Sequence, residues 1–479
     1  MAKKCLFLSA LVLASSFMAC SDKKQEQNVE INDSTTPLHL LKPAYKTPYG
    51  EVSADSITEA LQTIFAYIEE QTPHRVVDSL GQEVTDLTDL PEGAQVEKLA
   101  FRLSSYEWGV TYQALLAASE ATGDERYRAL VEREFRFIEK VTPAFLQRYG
   151  TEEHCPDNQM APILRPRALD DCGAMCTAMM KATMGQETPL TDIIDNYFAF
   201  IEHGQYRLST GDNDFLFARH RPQRNTIWLD DMFMGLPALA TRSLYTGDPH
   251  YLDEAITMFW SFVRRMWVPE KRIYRHGYVE GLAQQPTYHW ARANGWAILT
   301  TCELLDALSQ DDPRREAILG QLREHIAGLA TLQSSEGFWH QLLDRNDSYL
   351  ETSATAIYCY CIAHAARQGW VEPITYGPVA QLAWHAVRSQ ITPDGKVHGT
   401  CVGTGMAFDP AFYYYRPVSA AAAHGYGPTI WAAAEMLQLL KTWHPRTNDS
   451  GLHYYDKPQD NPAPLFYITD DAQGEEVHW

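Results

Sequence analysis

A chain of 479 residues, 45% hydrophobic and 21% charged, is globular and long enough for one large or two ordinary domains. Its formal charge of −21 argues against nucleic acid and anionic membrane surfaces as partners. The same charge repels an acidic ligand at long range, so any such ligand has to be held by a local cluster of cations.

The N-terminus predicts an export leader over residues 1–20. Lys3 and Lys4 precede an apolar run too short to span a bilayer, and the run ends in Ala19-Cys20-Ser21, a small residue before a cysteine. This pattern resembles a bacterial lipoprotein cleavage site, with lipidation at Cys20 and a location in the bacterial periplasm or cell envelope. Residues 21–46 are polar and read as a flexible tether. Beyond the leader lie seven cysteines (155, 172, 176, 302, 359, 361, 401) without CxxC pairs or Cys/His spacing, a pattern of buried thiols rather than a zinc site or a disulfide framework.

From residue 55 onward, 3.6-residue periodicity dominates and strand-like alternation is scarce. It predicts helices over 55–71, 106–122, 125–141, 168–183, 190–203, 228–245, 249–267, 289–309, 313–333, 350–368, 375–390 and 426–443. Ala121-Thr-Gly-Asp124 and Tyr245-Thr-Gly-Asp248 repeat one junction, a glycine that closes one helix and an aspartate that caps the next. Ser309-Gln-Asp-Asp312-Pro313 makes a similar connection. A repeated helical hairpin, about a dozen helices in all, predicts an all-α (α/α)6 barrel over residues 47–445, with the all-apolar helices inside. An open solenoid is the alternative. Residues 446–479 read as a tail packed on the surface.

Four clusters break the core-building pattern. Asp170-Asp171 opens an apolar helix, and Asp230-Asp231 does the same inside Thr226–Pro237, beside Trp228, Met232, Phe233 and Met234. A buried carboxylate costs several kcal/mol unless it is paired or neutralised. Adjacent helical residues point about 100° apart, so the two members of a doublet serve different ends. Arg219-His220-Arg221 supplies cations, and Arg275-His276-Gly277-Tyr278 leads to Trp290-Ala-Arg292-Ala-Asn294-Gly295-Trp296. The fourth cluster is Gly337-Phe338-Trp339-His340, followed by Tyr349-Leu-Glu351. Singly, each has a bland explanation as a cap, a solvated loop or core packing. Together they suit an acidic sugar: carboxylates for proton transfer, an arginine fork for a ligand carboxylate, and indoles for ring stacking.

The segments WLDDMFMGLPALA, RHGY, WARANGW, EGFWHQLLD and SYLETSATA resemble the unsaturated rhamnogalacturonyl and glucuronyl hydrolases of glycoside hydrolase families 105 and 88, over roughly Val52 to Leu440. The resemblance implies an (α/α)6 barrel, no metal or organic cofactor, and removal of a terminal Δ4,5-unsaturated uronic acid from a small acidic oligosaccharide made by a lyase. It implies Asp230 as general acid/base, with Asp231 supporting it. It implies Asp170 as the second active-site carboxylate, orienting the water or the sugar hydroxyls, with Asp171 as the alternative. His276, Trp290, Arg292 and Trp296 match the substrate-pocket motifs, Arg292 being the expected partner of the uronate carboxylate; His220, Arg221 and His340 match less closely. A sugar epimerase using His276 and His340 as paired proton carriers, a non-catalytic glycan-binding lipoprotein and an ordinary inverting glycosidase are the competing readings.

Overall fold

The computed structural model describes residues 50–151, 155–211, 213–448 and 451–458, with Ser34, Thr35 and the backbone of residues 465–469 and 475–478. The leader with Cys20, and the tether apart from Ser34 and Thr35, lie outside the described residues.

Twelve helices of nine residues or more occur among the described residues. They are α1 (Ala54–Gln71), α2 (Tyr106–Thr122), α3 (Glu125–Tyr149), α4 (Leu169–Ala182), α5 (Thr191–Ala199), α6 (Asp230–Thr246), α7 (His250–Met266), α8 (Ala291–Ala307), α9 (Arg315–Ala330), α10 (Thr352–Arg367), α11 (Pro373–Ser389) and α12 (Tyr426–Thr442). The even-numbered helices pack side to side in a closed ring, α12 returning to α2. Each odd-numbered helix backs one member of the ring: α3, α5, α7, α9 and α11 pack on α2, α4, α6, α8 and α10, and α1 packs on α12. The ring closes, so the fold is the expected (α/α)6 barrel and not an open solenoid.

Sequence chemistry accounts for the inner and outer layers. The inner helices are buried nearly all round; α10 has no exposed residue from Thr352 to Ala366, which is what a helix without a polar face requires. The outer helices are amphipathic, α7 burying Ala255, Ile256, Phe259 and Phe262 on one side. The inner-to-outer turns are short and built as the repeated junction predicts. Gly123 and Gly247 adopt left-handed φ of 72° and 76°. Asp124 and Asp248 accept from the backbone N–H of Arg126 and His250, both at 3.0 Å.

Two elements differ from expectation. Helix α3 continues past Thr142-Pro143 to Tyr149, because burying Ala144, Phe145 and Tyr149 outweighs the backbone bond that Pro143 cannot donate. The start of the tail forms a hairpin, His444–Asn448 with Gly451–Tyr455, whose buried Tyr454 donates from its hydroxyl to Gln381 Oε1 on α11 at 2.7 Å. All seven cysteines are buried thiols outside any disulfide.

The outer-to-inner connections are long, and all six lie on the rim where the inner helices begin. The N-termini of α2, α4, α6, α8, α10 and α12 therefore converge there, each with the positive end of its dipole.

Candidate active site

The rim is assembled by short strand pairings that carry side chains to the mouth of the ring. Residues Thr226–Trp228 pair antiparallel with Gly277–Val279, Trp228 lying opposite Gly277. Leu229 N–H then donates to the carbonyl of His276 at 3.0 Å, so Asp230, the next residue, opens α6 directly beside that histidine. On the other side Arg219 and Thr226 exchange both backbone hydrogen bonds, at 2.7 and 3.0 Å, which brings the Arg219 side chain over the same helix end. An added Cβ at Gly277 would sit 2.3 Å from the side chain of Met406, so the methionine would have to shift. Helices α4 and α6 touch through Gly173, whose added Cβ would lie 1.6 Å from the carbonyl oxygen of Met234. That contact sets the Asp170 and Asp230 helix ends side by side.

The two carboxylate doublets divide as adjacent helical positions must. Asp230 is 8% exposed, and its Oδ2 lies 2.9 Å from His276 Nε2. Asp231 is fully buried and accepts a forked pair from Arg219, Nη2–Oδ1 2.6 Å and Nε–Oδ2 2.9 Å. Asp170 takes the other side of the same guanidinium, Nη1–Oδ2 2.8 Å and Nη2–Oδ1 3.2 Å. Asp171 faces the backbone instead, accepting from the N–H groups of Arg167 and Ala168 at 2.7 and 3.2 Å, as a helix-capping carboxylate does. Arg219 therefore bridges one carboxylate from each doublet.

Electrostatics distinguish the neighbours. Burial pushes the Asp230 carboxyl up, but His276 and Arg219 outweigh it and hold the group below its ordinary value. Burial pushes the Asp231 carboxyl above its ordinary value; Arg219 opposes this, while Asp170 and Asp230 add to it.

The Trp-x-Arg segment at the start of α8 stacks against this group. The His276 ring lies 4.8 Å from that of Trp290, and Arg292 Cζ lies 4.6 Å from the same indole. Arg292 is 1% exposed. Its Nη1 donates to the Cys401 carbonyl at 2.7 Å and to Ser353 Oγ at 3.1 Å, and its Nη2 to the Val402 carbonyl at 2.8 Å. The expected ligand arginine is thus also the anchor of the 401–402 segment, with one Nη2 hydrogen and the buried Nε–H left over. The buried Nε1 of Trp290 has no partner among the described residues.

Other expected residues lie elsewhere. Trp296 is buried inside the ring, stacked on Phe233 at 4.9 Å with planes 16° apart, which is core packing. His340 donates from Nδ1 to the Ser348 carbonyl and lines a separate cleft with Lys271 and Asp344, so it forms no pair with His276. His220 and Arg221 line a cleft of about 510 Å³ with Arg167, Tyr206 and Arg219. The exposed Arg221 guanidinium there is 3.8 Å from Asp170 and 4.9 Å from the Trp228 ring.

Tyr106, His424 and Tyr413 escaped the sequence reading, and Glu351 was noted there without a role. Tyr106 at the start of α2 is hydrogen-bonded to His424 Nε2 at 2.5 Å, just ahead of α12. Burial and Arg292 hold His424 well below its ordinary value, hence neutral. Glu351 caps α10, accepting from Ala354 N–H at 2.7 Å and Cys401 N–H at 2.8 Å. Tyr413 contacts His276 Nδ1 at 2.7 Å. The available signal was position: Tyr106, His424 and Glu351 stand, like Asp170 and Asp230, at the entry of a helix that is apolar all round.

Comparison with known proteins matches this architecture. The model of Glycosyl Hydrolase Family 88 matches residues 77–440. The chain is 22% identical over 394 residues to the unsaturated 3S-rhamnoglycuronyl hydrolase of Alteromonas sp. (strain LOR), covering 77% of this chain and 93% of that one. It is 28% identical over 217 residues to the unsaturated rhamnogalacturonyl hydrolase YesR of Bacillus subtilis (strain 168), a match over 45% of this chain and 60% of the Bacillus protein. The crystal structure of a possible member of family GH105 from Salmonella enterica serovar Paratyphi A shares the fold, with a TM-score of 0.63 at 22% identity, over 83% of this chain and 97% of that one. Since the family match runs from the first rim segment into the last helix of the ring, the chain belongs to Glycosyl Hydrolase Family 88 and is a glycoside hydrolase.

Proposed function

We propose that this hydrolase removes a terminal Δ4,5-unsaturated uronic acid from lyase-generated oligosaccharides, with Asp230 as the acid and base. The observation that carries the reading is the Asp230–His276 pair: a nearly buried carboxyl at a helix N-terminus, held through one oxygen at 2.9 Å, beside an unpartnered indole N–H and Arg292. The substrates named for the Alteromonas and Bacillus relatives support the choice of sugar.

The substrate's C4=C5 bond is an enol ether with the ring oxygen. Protonated Asp230 gives its proton to C4, and positive charge develops at C5 and the ring oxygen. A water adds at C5 and returns one proton to the Asp230 carboxylate, so a single group acts as acid and then base. The resulting hemiketal opens to a C5 ketone, and the hemiacetal left at C1 releases the partner sugar as an alcohol. This route needs no second carboxylate in displacement at the anomeric carbon. Asp170, set by Arg219, orients the water or the sugar hydroxyls; Trp290 flanks the ring; Arg292 gives its remaining Nη2 hydrogen to the uronate carboxylate. In the free enzyme His276 and Arg219 favour the carboxylate form of Asp230. The negative uronate beside it raises the group in the complex and supplies the acid form. A lipoprotein-type leader at Cys20 supports action in the bacterial cell envelope.

The test is a panel of unsaturated disaccharides from pectin, glycosaminoglycan and sulfated algal chains, followed by loss of ultraviolet absorbance of the conjugated double bond. Turnover of none of them, or release of the partner sugar with the double bond intact, would overturn the reading.

A further inference from the structure

We infer that Tyr413 is a positioning residue that fixes which nitrogen of His276 carries the proton. The inference rests on the proposed role of Asp230 but can fail independently of it.

Three contacts form a chain. Ala407 N–H donates to Tyr413 Oη at 3.1 Å. Tyr413 Oη lies 2.7 Å from His276 Nδ1. His276 Nε2 lies 2.9 Å from Asp230 Oδ2. Tyr413 and His276 are both buried, and no other acceptor for the tyrosine hydroxyl occurs among the described residues. With Ala407 donating into the oxygen, the Tyr413 O–H points at Nδ1. A neutral imidazole has one donor and one acceptor nitrogen. Nδ1 is then the acceptor, and the proton sits on Nε2, facing Asp230.

The ring has little freedom to turn over. It is packed against Trp290 at 4.8 Å, Tyr413 at 5.6 Å and Trp228 at 6.3 Å. The tyrosine is itself tied down: it closes a short helix, Pro410–Tyr414, capped by Asp409, which accepts from Ala411 N–H at 2.9 Å. Burial pushes its hydroxyl above the ordinary value, so it stays a donor. The charged and titratable groups around the pair are Asp230 at Nε2, Tyr413 at Nδ1, Tyr288 against Tyr413 at 5.3 Å, and Arg219, Arg292 and Tyr106 acting on Asp230.

The consequence is chemical. A neutral His276 gives Asp230 one hydrogen bond at Oδ2 and leaves the carboxyl free to take up a proton. If Nδ1 could bind a proton from solvent, His276 would become an imidazolium, and the resulting ion pair would hold Asp230 ionised. The O–H at Nδ1 occupies that lone pair and opposes the charging, so the acid form called up by the bound uronate is not lost to an ion pair.

The test combines a tautomer measurement with kinetics on the full chain. Long-range 1H–15N spectra of histidine-labelled protein report the protonation of each ring nitrogen, with His276 assigned by its disappearance in His276→Gln. Wild type is expected to show Nδ1 unprotonated and the proton on Nε2. Tyr413→Phe keeps the ring but not the O–H; its His276 should lose the preference for the Nε2–H tautomer. Its kcat should fall roughly ten- to a hundred-fold with KM within about two-fold, and the alkaline limb of its pH profile should move to lower pH. A wild-type spectrum with Nδ1–H overturns the inference even if the variant fails to fold. So does a Tyr413→Phe protein with unchanged tautomer and pH profile. A wild type that shows the Nε2–H tautomer yet turns over no unsaturated sugar leaves the inference standing and overturns the proposed reaction.

Discussion

Arg219 and Asp231 meet fork to fork, Nη2–Oδ1 2.6 Å and Nε–Oδ2 2.9 Å, with the carboxylate fully buried and the guanidinium 4.3 Å from the Trp228 ring. This pair answers why two aspartates stand together at the start of α6. Asp231 is held by an internal cation, and Asp230, turned roughly 100° away, faces the mouth of the ring.

Asp231→Asn should therefore act on stability. Removing one partner of a buried ion pair costs about 3–5 kcal/mol, because the other charge is left uncompensated. Asp170 still faces Arg219, so the lower end of that range is expected. Denaturant unfolding of wild type and variant measures it; a variant as stable as wild type would show that the pair contributes nothing net.

Asp230→Asn should leave the fold alone and stop the chemistry. The amide keeps the shape but cannot cycle between acid and base, and proton transfer typically contributes about 10²–10⁴-fold. The expected outcome is a kcat lower by that factor with KM nearly unchanged, read from the absorbance of an unsaturated disaccharide. If Asp231→Asn is instead the dead variant and Asp230→Asn remains active, the roles of the doublet are exchanged.

The fold was legible because its signal is periodic and local. Twelve apolar periods and three Gly-Asp or Asp-Pro junctions specify hairpins, and a closed ring is the way such hairpins bury faces that are apolar all round. That the two doublets stand out was legible for a similar reason: in so apolar a helix a carboxylate needs a partner, and Asp171 and Asp231 find theirs in backbone N–H groups and in Arg219. Which cation meets which carboxylate was not legible. Arg219 lies in the same run as His220 and Arg221, and only its exchange of backbone hydrogen bonds with Thr226 turns it inward. Tyr413 and His424 come from the long segment before α12, which has no period of its own, and their placement depends on tertiary contacts. Trp296 shows the converse. It belongs to a motif that also carries Trp290, yet one and a half turns further along the helix an indole is inside the ring.

Arg292→Lys tests a residue that anchors the 401–402 segment in the structure and is the proposed partner of the uronate carboxylate. An ammonium cannot reproduce the planar fork that reaches Ser353 and the Cys401 and Val402 carbonyls together. Both thermal stability and activity should fall. A lost charge-assisted contact of about 1.5–3 kcal/mol corresponds to roughly ten- to a hundred-fold in kcat/KM. Unchanged kcat/KM with a lowered midpoint would make the arginine an anchor alone and pass the uronate carboxylate to Arg221, where Arg221→Gln should then raise KM.

A last prediction concerns pH and lies away from the site. Glu134 on α3 is fully buried, and burial drives its carboxyl up to about 7 even though Arg133 stands 2.7 Å away and opposes the shift. In the unfolded chain the group titrates near 4.5. Between these values the native protein keeps a proton that the unfolded chain has lost, so the unfolded state binds fewer protons and stability falls as pH rises. The contribution is fully present below about pH 4.5 and is lost through about pH 7, at roughly 1.4 kcal/mol for each pH unit. Glu134→Gln removes this titration while keeping an acceptor for Arg133. The difference in unfolding free energy between variant and wild type should then grow in the variant's favour from pH 5 to 7 and level off above. A difference that stays constant across that range would mean that Glu134 is ionised throughout and that Arg133 outweighs the burial.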